Sequence, residues 1–238
     1  MRSCRNRSRN GPPNPACPCT RWPCVRIRRS ASPPPRTRKT SAFSISKEDL
    51  FYYVYGLLHS PEYRTRFDAD LKKKLPRIPF AGNFWAFSKA GRELASWHLS
   101  YETVEPYPLS QVGELPLGEA ALYRVQKMAW ARKRVDGKLT EDKTTLIYNS
   151  RISLTGIPPE AQEYVVNGKP AIEWVIERYQ VTTDKDSGIV NDPNDWAAEH
   201  GDPTYIFNLV KRVVRVSVET VRIVKALPAL DLPACKER

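Results

Sequence analysis

The hydrophobic period changes partway along the chain, and that change limits the fold more than any other feature. Up to Leu99 apolar residues recur every three or four positions; from Ala121 they alternate with polar ones. Leu50, Phe51, Val54, Leu57 and Leu58 form a helical stripe closed by Ser60-Pro61, where Ser60 can cap a second helix and Pro61 suits its first position. Tyr63, Phe67, Leu71 and Leu75 then recur every fourth residue until Pro76, with Arg64, Arg66 and Lys72-Lys73-Lys74 pointing elsewhere. Phe80 to Phe87 is aromatic-rich and is expected to pack between layers. Ser88 offers a cap for a third helix ending at Leu99, with Ala90, Leu94 and Trp97 or His98 inward. Residues 104–119, rich in Pro and Gly, read as a long connection.

Beyond Ala121, Tyr123 and Val125 alternate with Arg124 and Gln126. Leu146, Tyr148, Ile152 and Leu154 later alternate with Ile147, Asn149, Arg151 and Ser153. Asp136-Gly137 lies between the two runs and predicts an antiparallel hairpin. Its tip carries Arg132, Lys133, Arg134 and Lys138. Such a tip suits a DNA groove, and exposed charge equally blunts a sheet edge; both readings stay open. Pro158-Pro159-Glu160 starts a short turn or helix, and Asn167-Gly168 marks another turn. Ile172, Val175, Ile176 and Tyr179 predict a half-buried helix running into a polar loop of Thr, Asp, Asn, Gly and Pro. That helix and loop bring Arg178, Tyr179, Thr182, Thr183 and Lys185 to one rim, which offers hydrogen bonds and stacking without a nucleophile or base. After Asp202-Pro203, Val214, Val216 and Val218 alternate as in a strand, while Phe207, Val210, Val214, Val218 and Val221 follow a helix. Length and the Asp-Pro start favour the helix. The fold class is α+β: a helical N-terminal part, a central antiparallel hairpin or sheet, and a long C-terminal helix.

The formal charge of +12 on 238 residues suggests nucleic acid, but its placement qualifies that. Residues 1–40 hold eleven of the 38 Lys and Arg and no acid, so the remainder is nearly neutral at 27 basic against 26 acidic side chains. The basic stretch also holds Cys4, Cys17, Cys19 and Cys24 without zinc-ribbon spacing, and Pro33-Pro34-Pro35. An organellar transit peptide or a nucleic-acid arm is conceivable for it. The preferred expectation is a disordered or artefactual tail over residues 1–42 ahead of a domain at 43–235. Cys235 alone in that domain implies no disulfide framework and fits a reducing cytoplasm. No run approaches the roughly eighteen apolar residues of a membrane span.

Catalytic patterns are missing from the sequence. It has no phosphate-binding loop, no dinucleotide fingerprint, no nucleophile elbow and no close pair of histidines. Asp184, Asp186, Asp192 and Asp195 could in principle hold calcium, or the magnesium of a nuclease. In one Gly- and Pro-containing loop, however, the expected role of such acids is to form turns.

Three stretches resemble a known family: Phe51-Tyr-Tyr-Val-Tyr-Gly-Leu-Leu-His-Ser-Pro-Glu-Tyr-Arg-Thr-Arg-Phe67, Leu75-Pro-Arg-Ile-Pro79, and Ala171-Ile-Glu-Trp-Val-Ile-Glu-Arg-Tyr179 with Thr182-Thr-Asp-Lys-Asp-Ser-Gly188. Together they resemble the C-terminal specificity (target-recognition) domain of type ISP restriction-modification enzymes, over about Ala42 to Leu230. In that family one polypeptide joins a nuclease, an ATP-driven translocase, an adenine-N6 methyltransferase and this domain. The resemblance implies a non-catalytic module that recognises double-stranded DNA, monomeric in a bacterial cytoplasm, beside a methyltransferase domain. S-adenosylmethionine, ATP and Mg would belong to the other parts. Arg132, Lys133 and Arg134, with the basic residues of the second helix, would hold phosphates. Asn149, Arg151, Arg178, Thr182, Thr183, Lys185 and Asn191 carry the donors and acceptors for base edges, with Tyr179 beside them. Alternatives are a protein-interaction module docking on a methyltransferase, or a metal-dependent nuclease using the Asp184–Asp195 loop.

Overall fold

The computed structural model describes residues 44–72, 78–113 and 120–231. The basic tail, Lys73, Lys74, Leu75 and Cys235 lie outside them. Three helices open the described chain: α1 (Lys47–His59), α2 (Pro61–Leu71) and α3 (Phe84–Leu99). A capping box starts α1, the Ser46 hydroxyl accepting from the Asp49 amide while the Asp49 carboxylate accepts from the Ser46 amide, both at 3.1 Å. Ser60 caps α2 as expected, accepting from the Tyr63 amide at 3.4 Å, with Pro61 in the first turn. Tyr53, Leu57, Tyr63 and Phe87 close this layer's core, each removed from water.

Two expectations fail in this layer. Ser88 does not cap α3, which begins four residues earlier; its hydroxyl donates instead to the Asp49 carbonyl of α1 at 2.9 Å. The aromatic segment before it packs only in part, since Phe87 is buried while Phe80 and Trp85 are exposed.

The sheet is antiparallel in the order β1-β4-β3-β2, built from β1 (Ser110–Gly113), β2 (Ala129–Val135), β3 (Lys138–Ile147) and β4 (Ile152–Thr155). The connection over residues 104–119 therefore supplies an edge strand. Asp136 and Gly137 both take positive φ at the β2–β3 turn, the conformation for which an Asp-Gly pair is selected. The first strand starts later than its alternation suggests, because residues 120–123 form a 3-10 turn. The second run is two strands rather than one, Asn149 and Arg151 lying in the turn between β3 and β4. Of the inward set, Val125, Leu146, Tyr148, Ile152 and Leu154 are buried and Tyr123 is half-buried against the same core.

After β4 come the short helix α4 (Glu160–Glu163), a two-residue ladder β5 (Val165–Val166) with β6 (Lys169–Pro170), and α5 (Ala171–Arg178). A second two-residue ladder pairs β7 (Thr182–Thr183) with β8 (Val190–Asn191), followed by α6 (Asn194–Glu199). The C-terminal segment is helical, α7 (Tyr205–Lys225), about 32 Å long at 1.5 Å per residue. The valine alternation misleads because α7 is apolar on two sides. Phe207, Val210 and Val214 join the sheet core, while Thr220, bonded to His98 at 2.9 Å, faces α3. The buried Ser217 hydroxyl is satisfied by the Val213 carbonyl one turn back, at 2.7 Å.

Candidate functional site

The β2–β3 hairpin extends well past its neighbour. Of β3 only Thr145 to Ile147 pair with β4, and a bulge between Trp130 and Ala131 breaks the register where the hairpin leaves the sheet. Beyond it, from Ala131 to Val135, a two-stranded arm projects roughly 13 Å at 3.3 Å per residue. Arg132, Lys133, Arg134 and Lys138 are all exposed on this arm. Lys133 pairs with Asp142 at 3.3 Å, and Arg132 stands across the ladder from Glu141.

At the other end of the hairpin, residues 122–126 are fixed mainly by side chains. The Asn149 amide donates to the carbonyls of Leu122 (2.8 Å) and Arg124 (3.1 Å), and its oxygen accepts from the amides of Arg151 (2.9 Å) and Ile152 (2.8 Å). The buried Asn194 mimics a strand partner, accepting from the Val125 amide at 2.9 Å and donating to the Val125 carbonyl at 2.8 Å. The Val181 amide donates to the Gln126 carbonyl at 2.9 Å. This segment thus joins the β3–β4 turn to the polar loop.

The polar loop is a compact hairpin. Thr182 stands opposite Asn191 and Thr183 opposite Val190. Inside it Asp184 accepts from the Asp186 amide (3.1 Å), the Ser187 amide (2.8 Å) and the Ser187 hydroxyl (2.8 Å). The Ser187 bonds, with the Asp186 amide, hold the Asp184 carboxyl below its ordinary range. Asp192 uses one oxygen for the amide and side chain of Asn194, at 2.9 and 2.6 Å, and the other for the Arg124 guanidinium. Burial alone would raise the Asp192 pKa; the Asn194 and Arg124 bonds outweigh it and lower it. Asp184 and Asp192 therefore serve the loop's own folding. Among the described residues, no group of three His, Cys, Asp or Glu side chains could hold a metal. A shallow depression on the loop is lined by Thr182, Thr183, Asp184, Ser187, Ile189 and Asn191.

The sequence-derived candidates fall into two groups. Thr182, Thr183, Lys185 and Asn191 are all exposed on the polar loop, with Arg178 exposed and Tyr179 half-buried at the end of α5. Arg178 lies 5.8 Å from the centre of the Trp174 ring, and Tyr179 packs against the sheet core. Asn149 and Arg151 join this group through residues 122–126. Arg132, Lys133 and Arg134 stand apart on the arm. Of the other aromatic side chains, Tyr148 is core, Trp174 is half-buried and Trp196 is 45% exposed. Sequence reasoning missed Arg124, whose partner is 68 residues away. It also missed the exposed Ile189 and Val190 at the loop. Two apolar residues inside an otherwise polar loop were the available signal.

Among the described residues no helix is long and apolar enough to cross a membrane. No curated protein matches the chain. Solved structures share this fold, among them these three. One is a nuclease-deletion mutant of the Type ISP restriction-modification enzyme LlaGI in complex with a DNA substrate mimic, 42% identical with a TM-score of 0.68. Another is the ATP-dependent Type ISP enzyme LlaBIII bound to DNA, 42% identical with a TM-score of 0.66. The third is a DrdV–DNA complex, 38% identical with a TM-score of 0.64. Each similarity covers 79% of this chain but only 14%, 12% and 19% of the respective partner chains. The family model of the Type ISP C-terminal specificity domain matches residues 27–209, beginning inside the stretch that sequence reading assigned to the tail. With the model match and the 38–42% identities in agreement, this chain belongs to the Type ISP C-terminal specificity domain family.

Proposed function

We propose that this chain recognises a specific sequence in double-stranded DNA, as the specificity module of a restriction-modification enzyme. The observation that carries the reading is its likeness, at 38–42% identity, to part of three proteins solved with DNA or a DNA mimic, two of them Type ISP restriction-modification enzymes. The distribution of side chains fits that use. The arm carries cations suited to phosphate oxygens, whose contacts position a protein without reading sequence. The loop carries Thr182, Thr183, Lys185 and Asn191, the end of α5 carries Arg178, and Arg151 lies in the β3–β4 turn; their donors and acceptors match base edges. Ile189 and Val190 add apolar surface of the kind that meets a thymine methyl group. Asn149, with its amide committed to four backbone groups, acts by holding the turn in shape.

The chain does this without chemistry of its own. Methylation, ATP-driven translocation and cleavage, with S-adenosylmethionine, ATP and Mg, belong to other parts of a parent enzyme in a bacterial cytoplasm. An adenine-N6 methyltransferase domain is the partner, and the module itself is monomeric. Exposed Leu50, Phe51 and Trp85 on α1 and α3 provide apolar surface for that partner.

The test is selection of a randomised duplex library with the full chain at two salt concentrations. Enrichment of one short asymmetric site is expected. Binding without enrichment, lost steeply with salt, would reduce the chain to a nonspecific basic surface.

A further inference from the structure

We infer that Arg124 is a specificity-determining residue that reads a guanine in the major groove, and that Asp192 is the positioning residue that aims it. This rests on the DNA-recognition reading above and names one of its base contacts. Arg124 stands where the β3–β4 turn and the polar loop meet. Its carbonyl accepts from Asn149 of the turn, and its guanidinium is bonded to Asp192, the residue after Asn191 of the loop. The Arg124 side chain is 51% exposed, whereas that of Asp192 is only 9% exposed.

That asymmetry is what a buttressed arginine requires. Asp192 cannot swing out, because its other oxygen is held by the Asn194 amide and side chain, and Asn194 is itself locked to Val125. One nitrogen of the guanidinium is thereby fixed from behind. Of the five N–H donors, those turned to solvent remain in a planar fork that matches the O6 and N7 acceptors of guanine. The ordering entropy of a long side chain is thus met largely before DNA arrives.

Charge separates a base contact from a phosphate contact here. The Arg124–Asp192 pair is neutral overall, and the carboxylate behind the fork repels a phosphate oxyanion. It repels the O6 and N7 edge of a guanine far less, since that edge carries partial charges and no net charge. Counter-ion release on binding is therefore small at this position. The same neutrality distinguishes Arg124 from Arg132 and Arg134, which stand on an arm with a surplus of positive charge.

The experiment compares full-length wild type, Arg124→Gln, Arg124→Lys and Asp192→Asn in the randomised duplex selection, followed by salt titrations on the recovered site. For wild type, one position of the enriched site is guanine. Arg124→Gln loses roughly ten- to hundredfold discrimination at that position alone. Arg124→Lys, with a point charge but no fork, loses it too, and Asp192→Asn weakens it at the same position. The slope of log affinity against log salt stays unchanged in Arg124→Gln. If Arg124→Gln keeps the whole enriched site and lowers the salt slope by about 0.9, the residue is a phosphate contact and the inference is overturned. If wild type enriches no site, the DNA-recognition reading falls and this inference with it. Arg124 is exposed and its side chain lies outside the core, so a folding defect does not confuse the result; a thermal melt of each variant verifies this.

Discussion

Gly56 of α1 and Gly91 of α3 meet where the two helices cross, with no room for a side chain between the backbones. A Cβ on Gly91 would lie 2.7 Å from the Gly56 nitrogen and closer still to the Tyr52 carbonyl oxygen; one on Gly56 would press on the Phe87 carbonyl. The obstructing atoms are main chain, so relief requires moving a helix. Gly91→Ala is therefore expected to cost about 3 kcal/mol or more, in the range of severe overpacking. Gly82 has no heavy atom within 4 Å of the same construction and no positive φ, so Gly82→Ala should stay within about 0.5 kcal/mol or gain slightly. Urea unfolding of the two variants against wild type checks both, and equal midpoints would sink the close-crossing argument.

Much of the fold was legible because its signals are local. Ser60-Pro61 and Asp136-Gly137 act within four residues, and both do in the structure what their chemistry predicts. Ser88 was misread because its partner, the Asp49 carbonyl, lies 39 residues away and across the helix crossing. Residues 123–126 showed a true strand period, yet their bonds come from the side chains of Tyr148, Asn149 and Asn194 and from the Val181 amide rather than from a ladder. Periodicity reports which face is buried; it does not report what satisfies the backbone. The polar loop was found because its residue types are unusual together, but Arg124 was passed over because a lone outward arginine in an alternating run carries no local mark.

Acid should weaken the fold through a histidine pair. His98 is bonded to the Tyr55 hydroxyl at 2.6 Å and the Thr220 hydroxyl at 2.9 Å, with the His59 ring 5.5 Å away. Burial, and then the neighbouring His59, pushes His98 down to about 4, and burial lowers His59 as well. In the unfolded chain each returns toward the ordinary 6.5. Between those values the unfolded chain binds more protons, so the contribution to stability is complete above about pH 6.5 and is lost as the pH falls toward 4. His98→Gln should flatten the melting temperature across that window relative to wild type. A variant with an unchanged pH slope would show that carboxylates alone cause the loss.

The Asn194 clamp gives a prediction that links stability to function. Asn194→Ala leaves the amide and carbonyl of Val125 without partners beside a fully buried side chain. Unsatisfied buried groups cost about 1–3 kcal/mol each, and the two together should cost about 2–6 kcal/mol. Asn194→Asp should be no milder, since it puts an oxygen against the Val125 carbonyl and a second acid beside Asp192. Chemical denaturation gives the stability change. At temperatures where Asn194→Ala remains folded, site selection should still broaden, because residues 122–126 and the polar loop are then tied only through Val181–Gln126 and Arg124–Asp192. A destabilised variant with an intact site would confine Asn194 to folding alone.

The arm offers the opposite case, in which affinity changes and stability does not. Arg132, Arg134 and Lys138 lie on two exposed strands beyond the bulge, away from the sheet's buried face. Replacing Arg132 and Arg134 together by alanine should leave the unfolding midpoint within about 0.5 kcal/mol of wild type, as for surface positions generally. If both hold phosphates, the slope of log affinity against log salt falls by about 0.9 for each, close to 1.8 in sum. Affinity for the selected site and for an unrelated duplex should then fall by the same factor, because positioning contacts carry no sequence information. Lys133, already paired with Asp142, should contribute less than either arginine when replaced alone. Anisotropy titrations over a salt series with both duplexes distinguish the outcomes. A loss confined to the selected site would move the arm from the phosphate backbone into a groove, and would make Arg132 or Arg134 a second reader of bases beside the loop.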